Sequence, residues 1–307
     1  MKIADMLTGA ARPFPSLEIV PPLNGIRKDQ LLQTIGAFME FAPRYINVTC
    51  HRDEFAFREG PDGSFTRHLV RSRLSPVAVC AAVMSAYPVE MVPHLICAGA
   101  TREELDSQLY DYHFLGIENV MALRGDSLQG EKRFEPTPGG FAHADELVSG
   151  IRAFEGSIGA SFCVGVGAYP EKHFEAANLE EDIARLKGKV QAGADYIITQ
   201  MFFDNQVYYR FVDACRAAGI TVPIIPGLKS LSTLRQLELL PASFSIDLPQ
   251  ALTSAVRAAR SAEEVYELGT EWCIAQCRDL LAHGVPAVHF YTMGRPDNIV
   301  RVLRACF

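Results

Sequence analysis

The 307-residue chain lacks several patterns that would assign it to a class at once. No apolar run approaches the ~20 residues of a membrane-spanning helix, and residues 1–13 lack the basic-then-apolar order of a signal peptide. Lys and Arg are not interleaved with aromatic residues, and the formal net charge is −7, which disfavours nucleic-acid binding. We therefore expect a cytoplasmic protein that acts on a small molecule, with neither a membrane nor a nucleic acid as partner.

Patterns that bind metals are also missing. The eight cysteines include no CxxC pair, and no HxH or HExxH spacing occurs among the histidines. Cys273 and Cys277 stand one helical turn apart, but no suitably spaced Cys or His completes a metal site. Most cysteines lie in apolar runs, where a free thiol packs as a small hydrophobe. The sequence therefore predicts reduced cysteines and no metal.

Short apolar runs alternate along the chain with longer segments of 3.6-residue periodicity, a pattern typical of repeated βα units. Eight strands are predicted, at 16–20, 45–49, 91–96, 119–123, 161–168, 196–200, 222–227 and 287–292. Helices are predicted at 28–40, 76–86, 102–115, 144–155, 179–192, 207–218, 232–239, 263–283 and 296–305. Gly116, Gly193, Gly219 and Gly284 follow four of these helices and suit the left-handed position past a helix end.

The number of strands favours a closed barrel over a doubly wound sheet. A doubly wound sheet usually has a Gly-rich turn after its first strand, whereas this chain has Pro21-Pro22-Leu23 there, and GVGA at 165–168 falls inside a strand. A β/α barrel typically takes ~250 residues as one domain. We predict an α/β fold, a (β/α)8 TIM barrel, with residues 1–307 forming a single catalytic domain.

Two segments interrupt the alternation. Residues 55–67 alternate apolar and polar side chains around Pro61-Asp62-Gly63, which predicts a small hairpin and a candidate lid. Residues 241–260 are predicted to be a loop with one short helix.

Polar residues lie at the ends of most of the predicted strands, which is where β/α barrels place their catalytic and binding side chains. These are Glu18, Thr49, His94, Arg124-Gly125-Asp126, Tyr169-Pro170-Glu171-Lys172-His173, Gln200, Lys229 and Arg295. A carboxylate in an apolar strand is costly to ionise, so burial should raise the pKa of Glu18 and suit it to general-acid catalysis. Each of these residues also has a structural interpretation. Glu18 fits a hydrogen-bonded structural network equally well. The Arg-Gly-Asp run fits a surface ion pair, and His94 fits a core residue whose hydrogen bonds are satisfied.

Eight motifs in order along the chain resemble those of the methylenetetrahydrofolate reductase family. They are LEIVPP at 17–22, INVT at 46–49, VPHLIC at 92–97, ALRGD at 122–126, GAYPEKH at 167–173, KVQAGADYIITQMFFD at 189–204, IIPG at 224–227 and HFYTMGR at 289–295. The resemblance covers nearly the whole chain. It implies an oxidoreductase acting on CH-NH donors, which reduces 5,10-methylenetetrahydrofolate to 5-methyltetrahydrofolate with FAD as cofactor and NADH or NADPH as electron donor.

The resemblance also implies a ping-pong scheme through FAD, a role in one-carbon metabolism and methionine biosynthesis, and a homo-oligomer. Glu18 would be the general acid that helps to open the five-membered ring of the folate, and Asp126 would serve both the flavin and the pterin. Cofactor contacts would come from Thr49, at the nicotinamide end, and from His94, Arg124, Gly125, Asp126, Tyr169, His173, Ala176, Asp182 and Lys189. Substrate contacts would come from Asp126, Gln200 and Arg295.

The chain departs from the better-known bacterial pattern at several positions, which are Leu23, Cys50, Arg52, Arg185, Gly188 and Leu240; the last stands where a folate-stacking Phe is usual. We see no long C-terminal extension of the kind that regulatory relatives carry, so a regulatory domain and control by adenosylmethionine are not expected.

Three alternatives stay open at this point. Another FAD-dependent barrel oxidoreductase, similar to proline dehydrogenase, would lack the folate, although Gln200 and the ALRGD run argue against it. A flavin-free barrel lyase or aldolase would use Lys229 or Lys172 as a Schiff-base amine. A non-catalytic folate- or flavin-binding protein would bind without turnover, which the placement of Glu18 disfavours.

Overall fold

Eight parallel strands close into a barrel in the computed structural model, which describes residues 1–52, 54–126, 134–292 and 297–307. The strands are β1 (Phe14–Ile19), β2 (Tyr45–Val48), β3 (Glu54–Glu59), β4 (Phe65–Val70), β5 (Glu90–Ile96), β6 (Asn119–Leu123), β7 (Cys163–Ala168), β8 (Tyr196–Met201), β9 (Ile224–Leu228) and β10 (Ala287–Tyr291). Around the barrel the order is β1-β10-β9-β8-β7-β6-β5-β2, and β3 pairs with β4 alone. All eight predicted strands are confirmed, as is the barrel.

Helices follow the barrel strands and cover the outer wall. They are α1 (Ile3–Gly9), α2 (Lys28–Met39), α3 (Pro76–Met84), α4 (Arg102–Phe114), α5 (Ala144–Ile158), α6 (Leu179–Gln191), α7 (Asn205–Ala217), α8 (Gln236–Phe244), α9 (Gln250–Ala258), α10 (Ala262–Ala282) and α11 (Asp297–Cys306). Predicted helix bounds hold to within a few residues. α8 continues through Pro241 to Phe244, and the short helix expected in this region is α9.

α1 closes the amino-terminal end of the barrel and was not predicted. Its apolar residues Ile3, Met6 and Leu7 are buried against the inward-facing side chains of the strands. The Ile3 amide donates to Asn119 Oδ1 at 2.9 Å, which anchors the start of the helix. Seven residues are too few to form a stable helix alone, so this packing stabilises α1.

Helix caps set the ends of several outer helices as the sequence predicts. Thr101 Oγ1 accepts from the Glu104 amide at 3.3 Å, and Glu104 Oε2 accepts from the Thr101 amide at 2.8 Å, which is a capping box at the start of α4. The glycines predicted past four helix ends all have positive φ, from 74° to 119°. These caps fix where the outer helices begin and end.

The predicted hairpin is confirmed as β3 and β4, which pair antiparallel. Asp62 Oδ1 accepts from the Ser64 amide at 3.1 Å, and Gly63 has φ of 77°, as its turn requires. Its function as a lid stays a prediction.

The eight cysteines are free thiols, and Cys273 and Cys277 pack in the core between the strands and the helices. Across the described ranges, no helix is long and apolar enough to span a membrane.

Candidate active site

Glu18 lies inside the barrel near the carboxyl end of β1, where parallel strands gather their functional side chains. Its neighbours in register are Asn47 on β2 and Tyr291 on β10. The flanking Leu17 and Ile19 point outward into the core beneath the helices. The Glu18 side chain is 16% exposed, so the carboxylate is largely buried yet open to a small molecule at the mouth.

Two buried histidines face the Glu18 carboxylate. His94 Nε2 lies 3.6 Å and His289 Nε2 lies 3.9 Å from Glu18 Oε2, and the two side chains are 5% and 0% exposed. Neither Nε2 atom has a hydrogen-bond partner within the described part of the chain. On its other side, His289 Nδ1 is 2.9 Å from Ser16 Oγ. The Glu18 carboxylate therefore faces two imidazole rings inside the barrel.

These neighbours correct the prediction that burial would raise the pKa of Glu18. Burial does favour the protonated acid, but the interactions of the carboxylate with the nearby His289, His94 and His51 outweigh it, so the pKa of Glu18 lies below its ordinary value. Burial lowers the pKa of His94 to about 4, which keeps this ring neutral at pH 7. The sequence prediction treated Glu18 alone and so had the wrong sign.

The Arg-Gly-Asp run forms the turn that follows β6. Gly125 has φ of 84°, and a Cβ there would lie 2.8 Å from Ala98 Cβ, so glycine is required. Arg124 pairs with Glu175 through Nη1 and stacks over the Phe134 ring at 4.9 Å. Asp126 is exposed at the mouth. The turn thus presents a cation and a carboxylate side by side.

A second group of predicted residues lies between β7 and α6. The Asp182 carboxylate accepts from the His173 amide at 2.9 Å, and the His173 ring contacts the Tyr169 ring edge to face at 4.6 Å. Lys189 Nζ donates to the Gly167 carbonyl at 2.9 Å. Ala176 is buried in the same loop. Lys189, which spacing alone would leave as an exposed charge, therefore points back toward the end of β7.

The electrostatics of this group are dominated by burial. Burial lowers the pKa of Lys189, opposed by the charge of Asp182. Burial raises the pKa of Tyr169 to about 12, with the Asp126 charge as the next contribution. Desolvated cations gain more than exposed ones from an anionic ligand, because water screens them less.

Thr49 and Gln200, two of the remaining predicted residues, lie at the ends of their strands at the same mouth. Thr49 Oγ1 lies 2.9 Å from His51 Nε2 just after β2. Gln200, near the end of β8, is half-buried, and its Oε1 accepts from the Met201 amide at 2.9 Å. Arg295 lies outside the described residues.

The two lysines of the lyase alternative are differently placed. Lys172 Nζ donates to the carbonyls of His173 and Ala176 at 3.2 and 2.7 Å, so it holds the β7–α6 loop together. Lys229 is 5% exposed, and burial lowers its pKa to about 8. The nearby thiol of Cys273 on α10 opposes this shift in the pKa of Lys229.

Four polar residues at the mouth were not among the predicted catalytic, cofactor or substrate residues. Ser16 and His289 complete the surroundings of Glu18, and Glu175 pairs with Arg124. Glu171 accepts from the Asp247 amide at 3.1 Å, has a buried Oε2 without a partner in the described ranges, and has a pKa that burial raises to about 7. The sequence signal for His289 and Glu171 was their position as polar residues within the motifs HFY and YPEKH. Their proximity to the other site residues depends on barrel closure and cannot be derived from the sequence motifs.

A surface groove of about 620 Å³ lies elsewhere, between α4 and α5 on the outer wall. Its lining includes Arg102, Tyr110 and Phe154 and none of the predicted site residues. The chemistry described above is at the barrel mouth and not in this groove.

The fold is a closed β/α barrel, and a buried carboxylate, two histidines and charged residues lie at its carboxyl-terminal mouth, where proteins of this class hold their functional sites. The sequence model of the methylenetetrahydrofolate reductase family matches residues 2–306. The chain belongs to this family.

Named relatives span several kingdoms. Methylenetetrahydrofolate reductase (NADH) 1 of Arabidopsis thaliana is 31% identical, with 99% of this chain and 50% of the relative covered. Methylenetetrahydrofolate reductase 1 of Schizosaccharomyces pombe is 34% identical, with 99% and 48% covered. The 5,10-methylenetetrahydrofolate reductase of Salmonella typhimurium is 31% identical, with 92% and 86% covered. The chain spans about half the length of the eukaryotic relatives.

Solved structures share the fold at low identity. A Clostridium thermocellum protein described as binding two copies of 5-methyl-5,6,7,8-tetrahydrofolic acid has a TM-score of 0.61 at 12% identity, with 98% of this chain and 97% of that chain covered. A 2,3-dimethylmalate lyase has a TM-score of 0.53 at 11% identity, with 98% and 82% covered. At these identities the likeness concerns the fold alone.

Proposed function

We propose that the protein reduces 5,10-methylenetetrahydrofolate to 5-methyltetrahydrofolate, with FAD as cofactor and NADH or NADPH as electron donor. The observation that carries the proposal is the pairing of a buried, partly open acid, Glu18, with a charged rim at the same barrel mouth in a chain of this family. The relatives named for NADH and for NADPH support a pyridine nucleotide as donor.

Glu18 is the proposed general acid. Opening the five-membered ring of the folate needs a proton at the departing ring nitrogen, and a carboxylic acid in a restricted pocket can deliver it. The histidines hold the free carboxylate in its ionised form. A substrate that covers the exposed 16% of the side chain removes the remaining water contact, and this desolvation favours uptake of the proton that Glu18 then donates.

The residues on the β6–β7 side of the mouth fit FAD. Arg124 and Lys189 supply cations for a diphosphate, and Tyr169 and His173 supply ring surfaces and a polar edge. Gly125 leaves the turn without a side chain beside Arg124. Bound there, FAD would accept hydride from the nicotinamide and pass it to the folate. Thr49, His94, Ala176 and Asp182 are the further proposed contacts.

Asp126, Gln200 and Arg295 are the proposed folate contacts. An exposed carboxylate such as Asp126 can accept two hydrogen bonds from the amino group and ring N–H of a pterin, which fixes its orientation. Gln200 offers an amide that both donates and accepts. Arg295 is assigned from the resemblance of HFYTMGR alone. Leu240, on α8, is buried in an apolar cluster, so we do not assign it a stacking function.

In the cell the product would supply methyl groups for methionine biosynthesis, and we propose that the enzyme acts in the cytoplasm as a homo-oligomer. The direct test is product analysis. Purified protein loaded with FAD is given NADH or NADPH and methylenetetrahydrofolate, and the folates are separated by chromatography and identified by mass. Formation of 5-methyltetrahydrofolate that needs both FAD and the reduced nucleotide supports the proposal, and an unchanged folate pool contradicts it.

A further inference from the structure

The buried Ser16–His289 pair lies against Glu18, and the proposed mechanism does not use it. Ser16 Oγ is 2.9 Å from His289 Nδ1, and both residues are fully buried. The His289 ring is stacked on Tyr45 with a centroid distance of 6.5 Å, and Tyr291 packs edge-on at 5.1 Å. The ring plane is therefore fixed, and Nε2 points toward Glu18 Oε2 at 3.9 Å.

The direction of the Ser16 hydrogen bond determines what His289 presents to Glu18. A neutral imidazole carries one proton, on Nδ1 or on Nε2. If Nδ1 held it, an Nε2 lone pair would face the Glu18 carboxylate in a buried site, which is electrostatically unfavourable. If Ser16 donates its hydroxyl proton to Nδ1, the imidazole proton is on Nε2 and faces the acceptor. Nε2 has no other partner in the described part of the chain.

We propose that Ser16 and His289 are positioning residues for the general acid: the Ser16 hydroxyl fixes the tautomer of His289 that directs an Nε2 proton at Glu18. This inference rests on the proposed function and deepens it. The donor stabilises the Glu18 carboxylate and holds it at the mouth, so that the buried acid can give up its proton and take one up again in each turnover. Without a donor, burial alone would make that proton hard to release.

Other groups also face Glu18, and a pH test must account for them. His94 approaches from β5 at 3.6 Å, His51 contributes its charge from the loop after β2, and Tyr291 lies in register on β10. Asn47 on β2 is neutral. The variants below change only the β1–β10 pair and leave these groups in place.

The test follows the folate half-reaction against pH. Enzyme loaded with FAD is reduced anaerobically and mixed with methylenetetrahydrofolate between pH 6 and 9, and the rate of flavin reoxidation is recorded. Glu18 must carry a proton in the folate complex, where desolvation by the substrate raises its pKa, so the rate falls as the pH rises past the apparent pKa of that complex. We call this fall in rate the alkaline limb of the pH profile. In His289→Asn no donor reaches the Nε2 position, and we expect the midpoint of the alkaline limb to rise by about one pH unit.

Companion variants separate positioning from packing. His289→Gln places an amide N–H where Nε2 was and should keep the limb within a few tenths of a unit of wild type. Ser16→Ala releases the tautomer and should shift the limb upward, by less than His289→Asn. His283→Gln, at an exposed histidine on the outer surface, is the matched control and should leave the profile unchanged. Flavin reduction by NADH, followed in every variant, reports that the fold and cofactor site are intact.

An unmoved or lowered limb in His289→Asn, or an equal shift in His289→Gln, overturns the assignment. If His289→Asn does not fold, Ser16→Ala decides, since an unmoved limb there also overturns it. A wild-type enzyme that NADH reduces but the folate does not reoxidise contradicts the proposed function instead.

Discussion

Glu18 Oε2 lies 3.6 Å from Nε2 of His94, whose ring is neutral at pH 7 because burial lowers its pKa to about 4. Two strands that are separated by β2 in the barrel thus bring an acid and a neutral imidazole together. In the proposed reaction the proton comes from Glu18, because desolvation by the bound substrate favours proton uptake by this carboxylate, whereas burial keeps the His94 ring neutral. We therefore expect Glu18 to act in the folate half of the proposed reaction only.

Glu18→Gln should therefore separate the two half-reactions. Hydride transfer from NADH to FAD needs no proton from this residue and should change less than about threefold. Reoxidation by the folate loses its general acid and should slow by about 10²–10⁴. Rapid-mixing absorbance at the flavin band measures both rates. Glu238→Gln on the exposed face of α8 is the control, and loss of both halves in Glu18→Gln would mark Glu18 as structural.

Lys189→Met should weaken FAD binding. The amine is partly buried, donates to the Gly167 carbonyl and has a lowered pKa from burial, so its charge acts strongly on an anionic ligand. We expect Kd for FAD to rise at least about tenfold, which is about 1.4 kcal/mol. Fluorescence quenching of FAD gives Kd, and Lys187→Met, an exposed lysine two positions earlier on α6, is the matched control. Equal affinity in the two variants would remove Lys189 from the site.

Glu171→Gln should stabilise the protein at alkaline pH. The pKa of Glu171 is raised to about 7 by burial, so the folded state favours the protonated carboxyl. Its contribution to stability is complete below the unfolded value near 4.3 and is lost as the pH rises through 7. The variant should gain up to about 2 kcal/mol at pH 8, and the gap should narrow toward pH 5. Denaturant unfolding at both pH values measures it, with Glu238→Gln as control; a gap that does not depend on pH would rule out titration of Glu171.

Arg152→Met should destabilise the barrel wall. The guanidinium joins α5 to the start of β8 through Asp195 Oδ2 at 2.7 Å, and it donates to the Gly193 and Phe162 carbonyls at 2.6 and 2.9 Å. Arg152 also pairs with Glu155, so its removal leaves two partly buried carboxylates and two carbonyls without this partner, at a cost of about 2–3 kcal/mol. Urea unfolding measures the loss. Arg210→Met, exposed on α7, should stay within about 0.5 kcal/mol of wild type, and a similar loss in both would show that the network adds nothing specific.

The barrel was predictable because each strand is a short apolar run and each helix a longer periodic one. Asn119–Leu123 agrees in both bounds for this reason. α1 was missed because it has only three buried apolar residues, and its stability comes from closing the barrel. Local periodicity does not contain that tertiary contact.

The candidate site was predictable in its members but not in its electrostatics. Strand ends identified Glu18 and Arg124, since parallel strands bring their carboxyl ends together. The grouping of Ser16 with His289 depends on β1 pairing with β10, 273 residues along the chain, and a lone strand histidine gives no signal of this. The sign of the Glu18 pKa shift depends on that pairing too.

The most direct measurement of the proposed function is the visible absorption spectrum of the FAD-loaded protein through one anaerobic cycle. We expect NADH to bleach the flavin band and methylenetetrahydrofolate then to restore it, with one equivalent of 5-methyltetrahydrofolate formed. A protein that does not bind FAD, or a reduced flavin that the folate leaves bleached, would contradict the proposed function.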